Sequence, residues 1–342
     1  MLDLRYRDKE YLTQYDLNID LFNLFNIKVD DIIPVRKVYM LCTKDGYKVL
    51  KKVDYKEEEL QFIIDAMNYI RKSFDRIINF VKTREGTEYT IWNGDIYYIM
   101  DLVDGKECEY SNPVDIAVAA LGLGELHKSG EGFKTKYSPR NNNGRLINSF
   151  NRKLKEMEFF KTMAEFYDNK KEFDAIFLEN TDYYMNQVRQ SVSSLEQSQY
   201  YKLCSEEDKI VLCHHDLAHH NILVNNEQAY FIDFDYSMVD LRVHDLCNFI
   251  NKVVKNYGYD ISKFEIIIEN YSKVNKLSKR EMDVLLAMLT FPEDIYSIAR
   301  DYYTKRKTWD EDLFLNRLNK KISNEKYREE FLKDLCDYLK SN

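Results

Sequence analysis

Apolar residues in the first third of the chain recur in short β-rich runs broken by turn residues. Val35 to Thr43 and Tyr47 to Val53 are joined by Lys44-Asp45-Gly46, a hairpin signal. Tyr89 to Trp92 and Ile96 to Val103 repeat the pattern and end at Asp104-Gly105, a turn suited to a hinge between two units. Between these runs the period changes: Leu60, Ile63, Ile64, Met67 and Ile70 stand at helical spacing behind Glu57-Glu58-Glu59. A short helix, Glu10 to Phe25, is predicted to lead into this region.

From Asn112 onward helical spacing dominates. Val114 to His127 predicts a buried helix, in which His127 caps or stabilises the end rather than reacts. Residues 145 to 199 read as two long amphipathic helices, an insertion on the substrate side. Ser278-Lys-Arg-Glu281 and Thr308-Trp-Asp-Glu311 have the capping-box spacing that opens later helices. Ile210 to Cys213, Ile222 to Val224 and Tyr230 to Ile232 return to a β pattern inside this helical region. A chain of 342 residues is large for one core. The pattern therefore predicts an α+β fold in two lobes: residues 1–103, a small antiparallel sheet with one helix, and residues 104–342, large and mostly helical.

Five of the six histidines fall between residues 211 and 250, bracketed by those β runs. His214-x-Asp216, then Asn221 after four intervening residues, then Ile232-Asp233-Phe234, reproduces the spacing of a phosphotransferase catalytic loop and its metal segment. Asp216 can accept the proton of an attacking hydroxyl while aiming it at a γ-phosphoryl group. Asn221 offers a neutral oxygen and Asp233 a carboxylate, a donor pair suited to Mg²⁺. Asp235 is a further candidate ligand. His214 reads as a structural hydrogen-bonder, whereas His219 and His220 could face substrate or satisfy backbone. His215 and His219 also stand at a helical zinc spacing, but the Glu of His-Glu-x-x-His is missing and Asn221-Ile-Leu-Val reads as strand. Asp245 is a helix cap or a buried partner of the loop.

Such a site needs a phosphate-binding lysine and a helical acid to hold it. Lys51, near the end of the second hairpin strand, fits the first, with Lys52 as its replacement if the pleat runs the other way. Glu59 is the chosen partner of Lys51, with Glu58 next, although acids in a first helical turn also complement the helix dipole. Met100 to Val103 would lie beside the adenine, which makes Asp101 and Val103 cofactor-side candidates; plain strand core is the alternative. No Gly-x-Gly-x-x-Gly precedes Lys51, only Gly46. Only eleven residues separate Asp233 from Asp245, which leaves no room for a long activation segment and disfavours a protein substrate.

On these residues the chain resembles the aminoglycoside phosphotransferase and choline kinase superfamily, and within it the CotS-type spore-coat family. The resemblance rests on His214-His215-Asp216-Leu217-Ala218-His219-His220-Asn221, Ile232-Asp233-Phe234-Asp235-Tyr236, Asp240-Leu241-Arg242-Val243-His244-Asp245-Leu246 and Leu121-Gly-Leu-Gly-Glu-Leu-His127. More distant marks are Ile33-Pro34-Val35-Arg36, Asn143-Gly144-Arg145, and Phe291-Pro292-Glu293-Asp294 with Trp309. It spans nearly the whole chain and implies a two-lobed protein-kinase-like fold, with Asp216 as base and Asn221 and Asp233 as metal ligands. It also implies ATP and Mg²⁺ as cofactors, a small-molecule or saccharide hydroxyl as acceptor, and a place in the spore coat beside other coat proteins. An inactive kinase-like coat protein is the competing implication.

Composition trims the remaining classes. A net charge of -8 argues against a nucleic-acid partner. The absence of a signal peptide and of an 18-residue apolar run leads us to expect a cytoplasmic, mother-cell location without a membrane span, with assembly into the coat as a later step. The six cysteines are scattered and read as reduced, mostly buried thiols. Arg300 to Lys307 near Trp309 reads as a solvated helix end or as a wall for an anionic or sugar substrate.

Overall fold

The computed structural model describes residues 17–35, 38–137 and 140–341. Its small lobe is built on one antiparallel sheet of β1 (Val29–Val35), β2 (Val38–Thr43), β3 (Gly46–Val53), β4 (Phe80–Val81), β5 (Thr90–Trp92) and β6 (Asp95–Asp101). The spatial order is β1-β2-β3-β6-β4, with β5 also on β6. Val35 pairs with Val38, so the run expected as one strand is split at its first residues. Asp30 and Asp31 mask the apolar period of β1. Gly46 closes the β2–β3 turn at φ +104, a backbone region that glycine enters without strain. Helix α1 (Ile19–Leu24), capped by Asn18, is the realised end of the expected leading helix. The earlier part of that expectation, through residue 16, lies outside the described residues.

The pleat of β3 sorts its side chains. Val53 packs with Leu60 and Ile64 of α2 (Glu57–Ile70) and with Tyr98. Leu50 turns to the other face, against Leu41, Ile32 and the α1 residues Leu21 and Phe22. Successive residues of a strand alternate between faces, so Lys51 shares the α2 side with Val53. Lys52 goes the other way and pairs with Asp95 at 2.6 Å.

The large lobe begins with β7 (Lys106–Glu107) and continues through α3 (Pro113–Gly130), α4 (Leu146–Phe166), α5 (Glu172–Gln197) and α6 (Tyr200–Leu203). Strands β8 (Ile210–Cys213), β9 (Ile222–Asn225), β10 (Gln228–Phe231) and β11 (Met238–Leu241) follow. The chain then runs through α7 (Arg242–Val254), α8 (Ile261–Ser272), α9 (Lys279–Thr290), α10 (Glu293–Tyr303), α11 (Glu311–Ser323) and α12 (Glu325–Ser341). The short strands form two ladders, β10-β9-β7 and β11-β8.

Helix α3 is the spine of this lobe, lying against α8 on one side and against β8, β9 and β10 on another. Its glycines serve that contact. A Cβ on Gly122 would fall 2.7 Å from Cβ of Ala229, so only a glycine lets helix and strand approach this closely. Ser278 and Glu281 form the expected capping box of α9. At α11 the expectation is corrected: Asp310 is the N-cap and accepts from the Leu313 N–H at 2.8 Å, because the helix starts at Glu311, three residues beyond Thr308.

Candidate active site

The loop from Cys213 to Ile222 is held from below by a single carboxylate. Asp245, in the first turn of α7 and fully buried, accepts from the backbone N–H groups of His214 at 2.6 Å and His215 at 2.8 Å. His127 of α3 reaches the same carboxylate through Nε2 at 3.1 Å and meets the Tyr271 hydroxyl through Nδ1 at 2.8 Å. Burial opposes ionisation of Asp245, but the hydrogen bond and charge of His127 and the nearby His215 and His214 outweigh it and hold the carboxyl well below its ordinary range. His127 is thus a brace for the loop, and of the two readings of Asp245 the buried partner is realised.

His214 braces the loop laterally. Its Nε2 donates to the Ile232 carbonyl at 2.9 Å while its Nδ1 accepts from the Asp216 N–H at 3.2 Å, which fixes a neutral tautomer. Burial, partly offset by Asp245, lowers its pKa accordingly. Ile232 N–H in turn donates to the Asn221 carbonyl at 3.0 Å, so the Asp233 segment is stitched to the loop from both sides.

These braces bring the predicted polar residues together. Asn221 donates through Nδ2 to the Asp216 carboxylate and carbonyl, each at 2.9 Å, which leaves its Oδ1 as the atom available to an ion. Asp233 sits at φ +63, ψ +69, a left-handed conformation costing a non-glycine residue on the order of 1 kcal/mol. Lys51 crosses from the small lobe to Asp233 at 2.7 Å and to Asp235 at 2.6 Å. Burial disfavours the lysine's charge, yet Asp235 and Asp233 more than compensate and raise its pKa. Asp235 is shifted upward, first by burial and then by Asp233, against the pull of Lys51. The two carboxylates already converge on a cation, the Lys51 ammonium, and carboxylate and amide oxygens of this kind are the donors a hard ion such as Mg²⁺ would take.

The pairing of Lys51 with Glu59 is corrected. Glu59 turns to Arg140 at 3.1 Å and caps α2 through the Lys56 N–H at 3.2 Å. Arg140 also donates to the Asp235 carbonyl and lies 5.1 Å over the Tyr55 ring. Tyr55 donates to the Asp235 carboxylate at 3.2 Å. Glu59 therefore orients the Asp235 segment through Arg140, and the lysine takes its partners from the large lobe. Around this bridge lies an inter-lobe hollow of ≈ 420 Å³ lined by Tyr55, Glu59, Arg140, Arg145 and Asp235.

At the hinge, Asp101 pairs with Lys48 at 2.7 Å and with the Asn79 amide at 2.7 Å. Its side chain is committed to the small lobe, while Val103 is half-buried beyond the end of β6. The zinc spacing of His215 and His219 is not assembled. His219 begins a short 3₁₀ turn, is largely exposed and pairs with Glu107 at 3.3 Å. All six cysteines are free; Cys213 and Cys247 are buried among apolar side chains, and burial pushes their thiols far up.

Two polar residues escaped the sequence. Lys252, in the last turn of α7, places Nζ 2.5 Å from Asp216 Oδ1. Arg140 lies in a segment with no periodic signal. The only hint of Lys252 is its place seven residues beyond Asp245, on the same face of a helix.

A sheet lobe and a helical lobe bridged by Lys51 to Asp233 and Asp235 define a kinase-like fold. Residues 18–335 match the family described as "Spore coat putative kinase YutH", and the chain belongs to that family. Spore coat protein S of Bacillus subtilis is 25% identical over 336 residues, covering 97% of this chain and 94% of the relative. An aminoglycoside phosphotransferase from Alicyclobacillus acidocaldarius superposes with a TM-score of 0.85 at 17% identity, over 95% of this chain and 97% of that one. A spectinomycin phosphotransferase solved with ADP and spectinomycin gives a TM-score of 0.62 at 18% identity, over 93% and 95% of the two chains. A choline kinase from Cryptosporidium parvum gives 0.54 at 13%, over 96% and 97%. The two-lobed protein-kinase-like fold expected from the sequence is the fold of the chain.

Proposed function

We propose that this protein is an ATP- and Mg²⁺-dependent phosphotransferase acting on a hydroxyl of a small molecule or saccharide, and that it works in association with the spore coat. The observation that carries the reading is the joint placement of Asp216 on Asn221 and of Lys51 between Asp233 and Asp235. A related phosphotransferase fold solved with ADP and its acceptor supports the same assignment.

In this reading residues 1–103 carry the nucleotide side, with the backbone around Asp101 and Val103 facing the adenine, and residues 104–342 carry the chemistry. Lys51 moves its charge from the two aspartates to the nucleotide phosphates. Asn221, Asp233 and Asp235 would hold Mg²⁺, which supplies neutralisation of phosphate charge. Asp216 accepts the acceptor's proton, and Asn221 Nδ2 fixes which carboxylate oxygen faces the hydroxyl. Lys252 gives up Asp216 Oδ1 as the hydroxyl arrives and stays close enough to stabilise the developing negative charge. Glu59 and Arg140 position Asp235 from behind. The protein acts before or during coat assembly, with coat proteins rather than nucleic acid or membrane as macromolecular neighbours. Among the described residues no helix is long and apolar enough to cross a membrane.

The test is phosphoryl transfer from ATP to a panel of polyol and saccharide acceptors. Asp216→Asn should lower turnover by about 10²–10⁴-fold while leaving nucleotide affinity within a few-fold of the parent. Equal turnover in parent and variant would refute the assignment of the base.

Two observations favour a second reading, a kinase-like coat component without turnover. The β2–β3 turn offers the single Gly46 where phosphates would be cradled, and Lys252 occupies the carboxylate the acceptor needs. Mg-ATP binding without measurable transfer to any acceptor is the outcome expected of that component.

A further inference from the structure

A second polar cluster lies behind the catalytic loop and is not used by the reaction. His215 comes from the loop after β8, and Asp240 and His244 from the junction where β11 runs into α7. Their ligand-type atoms all lie within 4.8 Å of one another, and His244 Nδ1 is 2.6 Å and His215 Nε2 3.4 Å from Asp240 Oδ2. The His215 ring is buried, and its Nε2 makes no well-formed hydrogen bond although it is aimed at Asp240. A ring nitrogen brought into the interior and left in that state invites a stronger partner than the one it has.

We propose that His215 Nε2, Asp240 Oδ2 and His244 Nδ1 form a binding site for a borderline divalent transition-metal ion, with Zn²⁺ as its representative. Two imidazoles and one carboxylate are the donor set such ions take, and a tetrahedral centre with bonds of about 2.0–2.1 Å would require only small adjustments of these side chains. The metal would take the place of the proton that now lies between His244 Nδ1 and Asp240 Oδ2.

The surroundings supply what a metal centre needs beyond its ligands. Asp240 is oriented by the Asn142 amide on Oδ2 at 2.6 Å and by the Leu241 N–H on Oδ1 at 2.7 Å. Asn248 Nδ2 is 3.4 Å from His215 Nδ1, and a half-turn of its carboxamide would let its oxygen accept from the tautomer that leaves Nε2 free for a metal. A hollow of ≈ 240 Å³ opens onto His215 and His244, giving an entry path and room for a fourth, exchangeable ligand. The contrast is the cluster of His127, Cys213 and Asp245. There both imidazole nitrogens and both carboxylate oxygens are already engaged, so no ion is called for.

The consequence is mechanical. A metal here would clamp the residue before Asp216 to the start of α7, so that metal occupancy sets the stiffness of the loop. The proposal does not depend on phosphoryl transfer, because none of the three ligands belongs to the Lys51, Asn221 and Asp233 set.

The experiment uses the full chain stripped of metal and titrated with ZnCl₂ by calorimetry, and with Co²⁺ as an optical probe. Two variants accompany it. His244→Gln removes a partly exposed ligand, and His215→Gly removes a ligand at a residue whose φ of +62 suits glycine, so both are expected to fold. The parent should bind one Zn²⁺ at least about 100-fold more tightly than either variant, with Co²⁺ ligand-field bands free of thiolate charge transfer. Zn²⁺ affinity equal in parent and both variants, no uptake by the parent, or a thiolate-coordinated Co²⁺ spectrum would each overturn the proposal.

Discussion

Asp245 shows how much of a site one buried charge can organise. It takes the two amides that open the loop from Cys213 to Ile222 and the ring that braces them, so removing its charge leaves three buried donors short of an acceptor. Asp245→Ala should cost roughly 3–5 kcal/mol of stability, measured by denaturant unfolding. The pH dependence has a definite sign. Asp245 and Asp240 have folded pKa values below their ordinary carboxylate values, against the cost of burial, so their stabilisation is full above the ordinary range and is lost as pH falls through the folded values. His214, lowered by burial, adds a loss of the same sign below its ordinary 6.5. The melting temperature should therefore decline on acidification from pH 6.5, and more steeply below pH 4. A melting temperature flat over that interval would show that these groups are not held as described. At this scale the sequence was legible where residue type and spacing act together, as in Asp216, Asn221 and Asp233. It misled at Glu59, because an acid in a first helical turn serves the helix whether or not it serves a lysine. Lys252 was hidden because its partner lies 36 residues away and nothing local marks the pairing.

Among the elements, α3 is the one whose sequence is dictated by what it touches. Gly122 weakens the helix by about 1 kcal/mol relative to alanine in isolation, yet it stands where a Cβ would collide with Ala229. Gly122→Ala should therefore destabilise the fold by about 1–3 kcal/mol instead of strengthening the helix, a reversal of sign that thermal unfolding can read. The glycines of Leu121-Gly-Leu-Gly were visible in the sequence as a motif, but their reason was not, since it depends on a strand over a hundred residues later. Strand β3 illustrates the opposite case. Its apolar alternation limited the lysine proposed to bind phosphate to Lys51 or Lys52, and only the packing of Val53 against α2 decided between them. Caps followed the same division: Ser278 and Glu281 were legible, while Asp310 took the place expected of Thr308, since both residue types suit an N-cap.

For the molecule as a whole, the two lobes were readable from the switch between β-rich and helical periods, and the joining salt bridges were not. Lys51 to Asp233 and Asp235 links the lobes through charges that no periodicity encodes. Those same charges make the central claim testable in one comparison. Thermal unfolding of the parent, of Lys51→Met and of Asp233→Asn, each with and without saturating Mg-ATP, measures whether the bridge is a nucleotide site. At a hundred times its dissociation constant, Mg-ATP should stabilise the parent by roughly 2.7 kcal/mol and leave both variants unmoved. A parent that melts at the same temperature with and without Mg-ATP would contradict the account.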